Sequence, residues 1–479
     1  MQLSHIRPVG AARFDDPNLV SCAGLVPVMA LAERAGLGEL ADTHLSVPTD
    51  KGSNAGRKVA SLVAGMVAGA DSISDLNRVR HGAMGTLFDR PYAPSTLGSF
   101  LRQFTFGHIR QLDAVASRFL AALAEATPIV AGIGTGRVMV DIDDSIIEVH
   151  GHTKEGSGYG YSGVRGLNAL ITTITTDGCA PVIVGQRLRK GSCGSPRGAA
   201  RMVTDTLTTV GRLRGAAQDR ADAESCSAAP KPLLRADSAF YGYPTIGAAV
   251  RAGAHVSVTT RLTAVTRAAI AAIAEDAWTP IEYTQAIYDE EQGVWISRAE
   301  VAEVPFTAFT SQKKAHHIPG RLVVRRIPDL RPKKDQGQGQ LFDVWRFHAF
   351  FTTTDPADLD TVAADKTHRR HAVIEQVHAD LKNSALAHMP SGKIHANAAW
   401  LVCAVIAFNL TRAAATLTDD PKLTRASSAT IRDAVITVPA RIASSARKLT
   451  LHLPTGWQWQ RAWMTLFDKA FGRNHPILA

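Results

Sequence analysis

The sequence predicts an α/β protein, and three observations lead there. The first 130 residues are rich in Ala and Leu at helical periodicity. From Arg137 onward, β-branched runs ending in acids alternate with helical stretches. Between residues 262 and 345, short strand-like segments follow one another between turns. The chain therefore divides into a helical region over 1–130, a first core part over 131–261, a β-rich insertion over 262–345, a second core part over 346–420 and a basic helical region over 421–479.

Taken in order, Leu25–Ala35, Gly56–Ala70 and Leu112–Ala126 carry helical spacing, and Pro94-Ser95-Thr96 opens a helix over Leu97–Phe106. Arg57, Lys58, Arg78, Arg80, Arg102 and Arg110 would suit DNA ends or the polar side of a plain bundle. Arg137–Asp143 is a buried strand ending in acids, extended through Ser145–His150. After a glycine-rich loop over Gly151–Gly166 come strands over Leu167–Thr176 and Cys179–Leu188, a helix over Arg197–Leu213 and a strand over Lys231–Asp237. A helix over Tyr243–Ala252 and a strand over His255–Thr260 complete this part. In the insertion, Thr279–Tyr288, Gly293–Arg298, Glu300–Phe309 and Arg321–Arg326 read as strands, and Arg331–Gln340 as a polar loop. Phe347–Thr353 returns as a buried strand, the run His368–Lys382 is one helix, and Ala396–Ala415 is a buried helix.

The formal net charge of +10 and pI near 9.5 favour a polyanionic partner. Nine Lys and Arg against two Asp place much of that excess in 421–479, close to Trp457, Trp459 and Trp463. Five cysteines with no CxxC pair give no zinc spacing and suit a reducing cytoplasm. The longest apolar run, Ala398 to Phe408, is too short to span a bilayer.

Gly158, Gly160 and Gly163 form a GxGxxG pattern, but a strand-like segment follows where a dinucleotide site needs a helix. The acids say more. Asp141, Asp143 and Asp144 cluster on one strand, Asp237 closes another, and Glu375 projects from a helix. At 3.6 residues per turn, His368, His371, Glu375, His378 and Lys382 share a stripe, opposite Ile374, Val377 and Leu381. Converging carboxylates repel one another unless cations lie between them. Hard oxygen ligands suit Mg²⁺ or Mn²⁺, and two such ions serve phosphodiester chemistry.

Three segments carry a resemblance to the DDE transposases of bacterial insertion sequences, within the IS-thirteen-eighty group of the IS-four-like set. Val140-Asp141-Ile142-Asp143-Asp144-Ser145, with Val149-His150-Gly151 and Lys154-Glu155-Gly156, resembles the family's first acidic strand. Leu234 to Tyr241 resembles the second. The helix of Glu375 is similar to the signature Tyr-x2-Arg-x3-Glu-x6-Lys, with His368 in place of Tyr and His371 in place of Arg.

The resemblance implies a ribonuclease-H-like catalytic core holding two Mg²⁺ or Mn²⁺ ions on Asp143, Asp237 and Glu375. Asp143 is preferred because Ser145 follows it at the family's spacing, and Asp141 is held in reserve. It further implies DNA contacts from Lys382, His371, His368, Lys154 and Arg235, and a base-stacking role for Trp295, with Trp345 as another candidate. The 138 residues between Asp237 and Glu375 leave room for the family's β-rich insertion. The implied activity is cut-and-paste transposition at terminal inverted repeats, by a homodimer acting on DNA in the bacterial cytoplasm. The alternatives are a DNA-binding repressor without catalysis and a ribonuclease-H-like nuclease that cuts without joining.

Overall fold

The computed structural model describes residues 10–48, 50–151, 153–220, 229–289, 294–328, 345–445 and 448–472. A short strand β1 (Leu19–Val20) precedes six helices: α1 (Leu25–Arg34), α2 (Leu37–His44), α3 (Ala55–Val67), α4 (Met84–Leu87), α5 (Pro94–Arg102) and α6 (Phe106–Ala126). Thr105 and His108 close α6 with a reciprocal capping box.

The core follows as β2 (Met139–Glu148), β3 (Gly158–Tyr159), β4 (Arg165–Thr175), β5 (Val182–Lys190), α7 (Ala199–Gln218), β6 (Leu233–Ala236), α8 (Tyr243–Arg251) and β7 (His255–Thr259). Next come α9 (Ala264–Ala271), β8 (Thr279–Asp289), β9 (Val294–Ala308), β10 (Ile318–Pro328) and β11 (Trp345–Thr352). One sheet of ten strands runs β3-β4-β2-β6-β7-β11-β10-β9-β8, with β5 on β4. Strand β4 runs antiparallel to both β2 and β5, whereas β2, β6 and β7 run parallel.

The β-rich stretch is therefore continuous with the main sheet, joined through the antiparallel pairing of β11 with β7. It keeps small cores of its own, including Ile281, Ala299, Val301 and Ile327. The two strands expected at 293–298 and 300–309 are the single strand β9, and α9 had no counterpart in the sequence reading. The polar loop expected over Arg331–Gln340 lies outside the described residues.

Helices cover both faces. Thr172, paired with Ile142, meets Thr206 of α7 on the face carrying Asp144. The opposite face, with Asp141 and Asp143, is covered by α10 (Thr361–Arg369) and α11 (Val373–Lys382). These two are not the single helix expected over 368–382, because a 3-10 turn at Arg370–Ala372 separates them.

Helix α12 (Ile394–Leu417) reaches beyond the predicted 396–415. By length and composition it could cross a membrane, contrary to the sequence expectation, but its apolar window lies entirely inside the fold. It is apolar on all sides because α6, α3 and β5 surround it. The Asn409 side chain accepts from Ile183 N–H at 3.0 Å and donates to its carbonyl at 2.7 Å, pinning α12 to β5.

The C-terminal stretch is less helical than expected. Short helices α13 (Pro421–Arg425) and α14 (Ser428–Ile431) lead to a hairpin of β12 (Ala440–Ser445) and β13 (Lys448–His452), then α15 (Gln460–Ala470). Trp463 is buried against Phe467, and the Trp457 indole donates to the Ala434 carbonyl, so both rings serve packing.

Candidate active site

The register of β2 against β6 sets the site. Asp141 lies beside Arg235 in a parallel ladder whose last paired position this is. Asp143 and Asp237 each follow two residues later, where the strands diverge. Period-2 alternation puts Asp141 and Asp143 on one face. Asp237 begins the 3-10 turn Ser238–Phe240, and its carboxylate accepts the Ala239 N–H at 3.0 Å.

Asp141 is fully buried and already occupied. Arg235 donates to both of its oxygens, Nε at 2.8 Å and Nη2 at 2.7 Å, while His371 Nδ1 lies 2.8 Å from Oδ1. The remaining Arg235 amine donates to the Thr367 carbonyl at 2.7 Å. This fork therefore ties β2, β6 and the end of α10 together. Every terminal amine of Arg235 and one edge of His371 are spent on that lock, which gives Arg235 a positioning task rather than a DNA contact.

Asp143 is held differently. Among the described residues, its close hydrogen bond is from the Asp144 N–H, at 2.8 Å. Burial raises its pKa to about 7, and the neighbouring Asp237 carboxylate pushes the same way. Asp237 is itself raised, chiefly by desolvation. His378 places Nε2 3.8 Å from Asp143 Oδ2, and that nitrogen is buried without a hydrogen-bond partner. Desolvation holds its pKa down to about 4, with Lys382 adding to the effect. Lys382 is also lowered by burial, while Asp143 opposes the shift.

Glu375 lies in the first turn of α11, four residues after His371 of the 3-10 turn and three before His378, and is exposed. Among the described residues, no three His, Cys, Asp or Glu side chains converge closely enough to hold a metal ion. The structure thus brings together Asp143, Asp237, His378 and Lys382, with Glu375 next to them on the helix.

The other expected contacts lie elsewhere. His368 stacks on Phe350 at 4.1 Å, with Nδ1 2.9 Å from Ser257 Oγ and Nε2 3.0 Å from Thr259 Oγ1. Burial lowers its pKa to about 3, so it is a neutral sheet-packing group with both nitrogens engaged. Lys154 donates to the Met389 carbonyl. The Trp295 side chain falls outside the described residues. Trp345 and Trp278 each lie 4.4 Å from the Arg326 guanidinium and clasp it between them.

The model of the family described as transposase DDE domain, group 1, matches residues 4–471. The chain belongs to this family. No curated protein matches the chain. Membership of a transposase DDE family implies an enzyme of the nuclease and transferase class whose partner is DNA.

The sequence reading left out several residues that shape this DDE-family site. On the opposite face of β2, Arg189 Nη2 donates to Asp144 at 2.8 Å, and Asn168 donates to the same oxygen. Tyr161 donates its hydroxyl to the Asp144 carbonyl at 3.3 Å. Asp144 was visible as a third acid, but its partners are 24 and 45 residues away, and only the strand register brings them in.

Proposed function

We propose that the protein cuts and pastes an insertion sequence of the IS-thirteen-eighty type by metal-dependent DNA cleavage and strand transfer. The observation that carries this reading is the Asp143–Asp237 pair at the fork of β2 and β6. Burial raises the proton affinity of both, the Asp237 charge adds to the shift of Asp143 and the Asp144 charge to that of Asp237, and a divalent cation would relieve that strain. In kind the donors suit Mg²⁺ or Mn²⁺: Asp143 and Asp237, with Glu375 on the covering helix as the third, are hard oxygen ligands that a bound cation would have to draw closer together.

When bound, two such ions would lower the pKa of water and stabilise the leaving oxygen of a phosphodiester. The chain's own residues do the rest. Asp143 and Asp237 fix the ligand positions from the rigid sheet. The Asp141–Arg235–His371 lock holds α11, and with it Glu375, at a set height over β2. Lys382 faces the acids and would hold a backbone phosphate. Water attacks the phosphodiester at the element's end and releases a 3′ hydroxyl, which then attacks the other strand or the target DNA.

The strand order β5-β4-β2-β6-β7, three antiparallel strands followed by parallel ones, supports a ribonuclease-H-like core. Two paired ends call for at least a homodimer, acting on DNA in the cytoplasm.

The test is cleavage of a duplex carrying the element's terminal repeat, with Mg²⁺, with EDTA and with Asp237→Ala. Nicking at the repeat boundary that needs metal and is lost in the variant is expected. Tight binding without cleavage in any metal would replace this reading with that of a repressor. Cleavage without joining would replace it with a nuclease.

A further inference from the structure

The glycine-spaced loop after β2 has no part in the acid chemistry, yet it is built against the same strand. Its residues Gly158 and Tyr159 pair with Gly166 and Arg165 at the edge of β4. A Cβ on Gly160 would stand 2.7 Å from the Gly191 carbonyl and 2.9 Å from Ile146 Cδ1. One on Gly191 would stand 2.1 Å from the Gly166 carbonyl and 2.4 Å from that of Gly158. Gly191 N–H also donates to the Gly156 carbonyl at 2.9 Å. Glycine here permits backbone to lie directly on backbone, so the stretch from Gly156 to Gly160 is docked against the end of β5 and the turn after it.

What this docked loop displays is aromatic. Tyr159 is 68% exposed and Tyr161 72%. Single exposed aromatics are ordinary on a protein surface. Two at alternate positions on a fixed loop, next to the acids, are a different matter. The Tyr161 hydroxyl reaches the peptide oxygen of Asp144, the residue after Asp143. That hydrogen bond sets the phenol beside the stretch of β2 that carries Asp143, and its pKa is raised, first by desolvation and then by the charges of Asp144, Asp143 and Asp237.

We propose that Tyr159 and Tyr161 form a stacking platform for unpaired nucleobases of the DNA strand passing Asp143 and Asp237. Every base offers a flat face, so such a platform is tolerant of sequence. Bases inside an intact duplex have no free face, and the occupant is therefore the frayed strand at the cut. The inference rests on the transposase reading of the same site.

The test uses the full chain and a terminal-repeat duplex with 2-aminopurine at the positions flanking the cut, in Ca²⁺ for binding and in Mg²⁺ for cleavage. Wild-type protein should change the 2-aminopurine emission. Tyr161→Ala should lose most of that change and bind about tenfold more weakly. Tyr161→Phe and Tyr161→Trp, which keep a ring, should restore the signal, and Tyr159→Ala should show a smaller loss. If wild type binds and cuts while the Tyr159→Ala/Tyr161→Ala double variant matches it in emission, affinity and rate, the platform is overturned alone. If wild type neither binds nor cuts the repeat, the transposase reading falls and takes the platform with it.

Discussion

The two faces of β2 treat neighbouring aspartates in opposite ways. On one face Asp144 is saturated by Arg189 and Asn168, and Arg189 in turn donates to the carbonyls of Ser195 and Arg197 at 3.0 and 2.6 Å. On the other face Asp143 has one backbone donor, a like-charged neighbour, and a histidine whose facing nitrogen is unpartnered. Asp141 repeats the saturated pattern two residues earlier on the second face. The difference teaches which charges serve the fold and which are held for chemistry. A buried carboxylate with a complete shell serves the fold, and one left short of donors at a strand fork is the one to which the proposed function gives a cation.

The saturated side is where the largest loss of stability is expected. Arg189→Met strands Asp144 in the interior and should cost about 3–5 kcal/mol in chemical denaturation. Adding Asp144→Asn to it should recover much of that loss. If Arg189→Met is as stable as wild type, the two faces do not differ as described.

The unsaturated side predicts the reverse sign. Asp143 has its pKa raised from 3.8 to about 7, so the folded chain binds its proton more tightly than the unfolded one. Its contribution to stability is greatest below pH 3.8 and declines as pH rises towards about 7, by up to about 1.4 kcal/mol per unit. Asp143→Asn should therefore be more stable than wild type at pH 8 in EDTA, with a flatter pH profile and no cleavage. Denaturation at pH 4 and pH 8 checks this, and a less stable variant at pH 8 would count against it.

His378 gives the smallest effect. Its pKa is lowered to about 4, so protonation on unfolding favours the unfolded chain as pH falls from about 6.5 towards 4. His378→Leu removes both that penalty and an unsatisfied nitrogen. It should be neutral or stabilising by about 1 kcal/mol at pH 5. Thermal melts at pH 5 and pH 7 would show the difference shrinking at the higher pH.

Much of this comparison was legible in the sequence, and the missing parts share a cause. Apolar β-branched runs located β2, β4, β5, β6 and β7, since burial on both faces leaves little ambiguity in such segments. Alternation alone put Asp143 and Asp144 on opposite faces. What alternation could not supply was the partner. Arg235 became the mate of Asp141 only through the parallel register of β2 and β6, which is a long-range property. The break at Arg370–Ala372 carries no Gly or Pro to announce it. It coincides with the points where His368 and His371 are drawn to the sheet by Ser257, Thr259 and Asp141. Likewise, strand texture marked the segments that become β8 to β10, but not that β11 would join them to the edge of β7.

The most direct measurement of the central claim is Mn²⁺ binding by calorimetry near pH 6.5, in buffers of different ionisation enthalpy. A cation seated on Asp143 and Asp237 must displace the proton that Asp143 still holds at that pH. The account predicts proton release on binding, lost together with most of the affinity in Asp143→Asn. Binding of equal strength in Asp143→Asn, or binding without proton release in wild type, would contradict it.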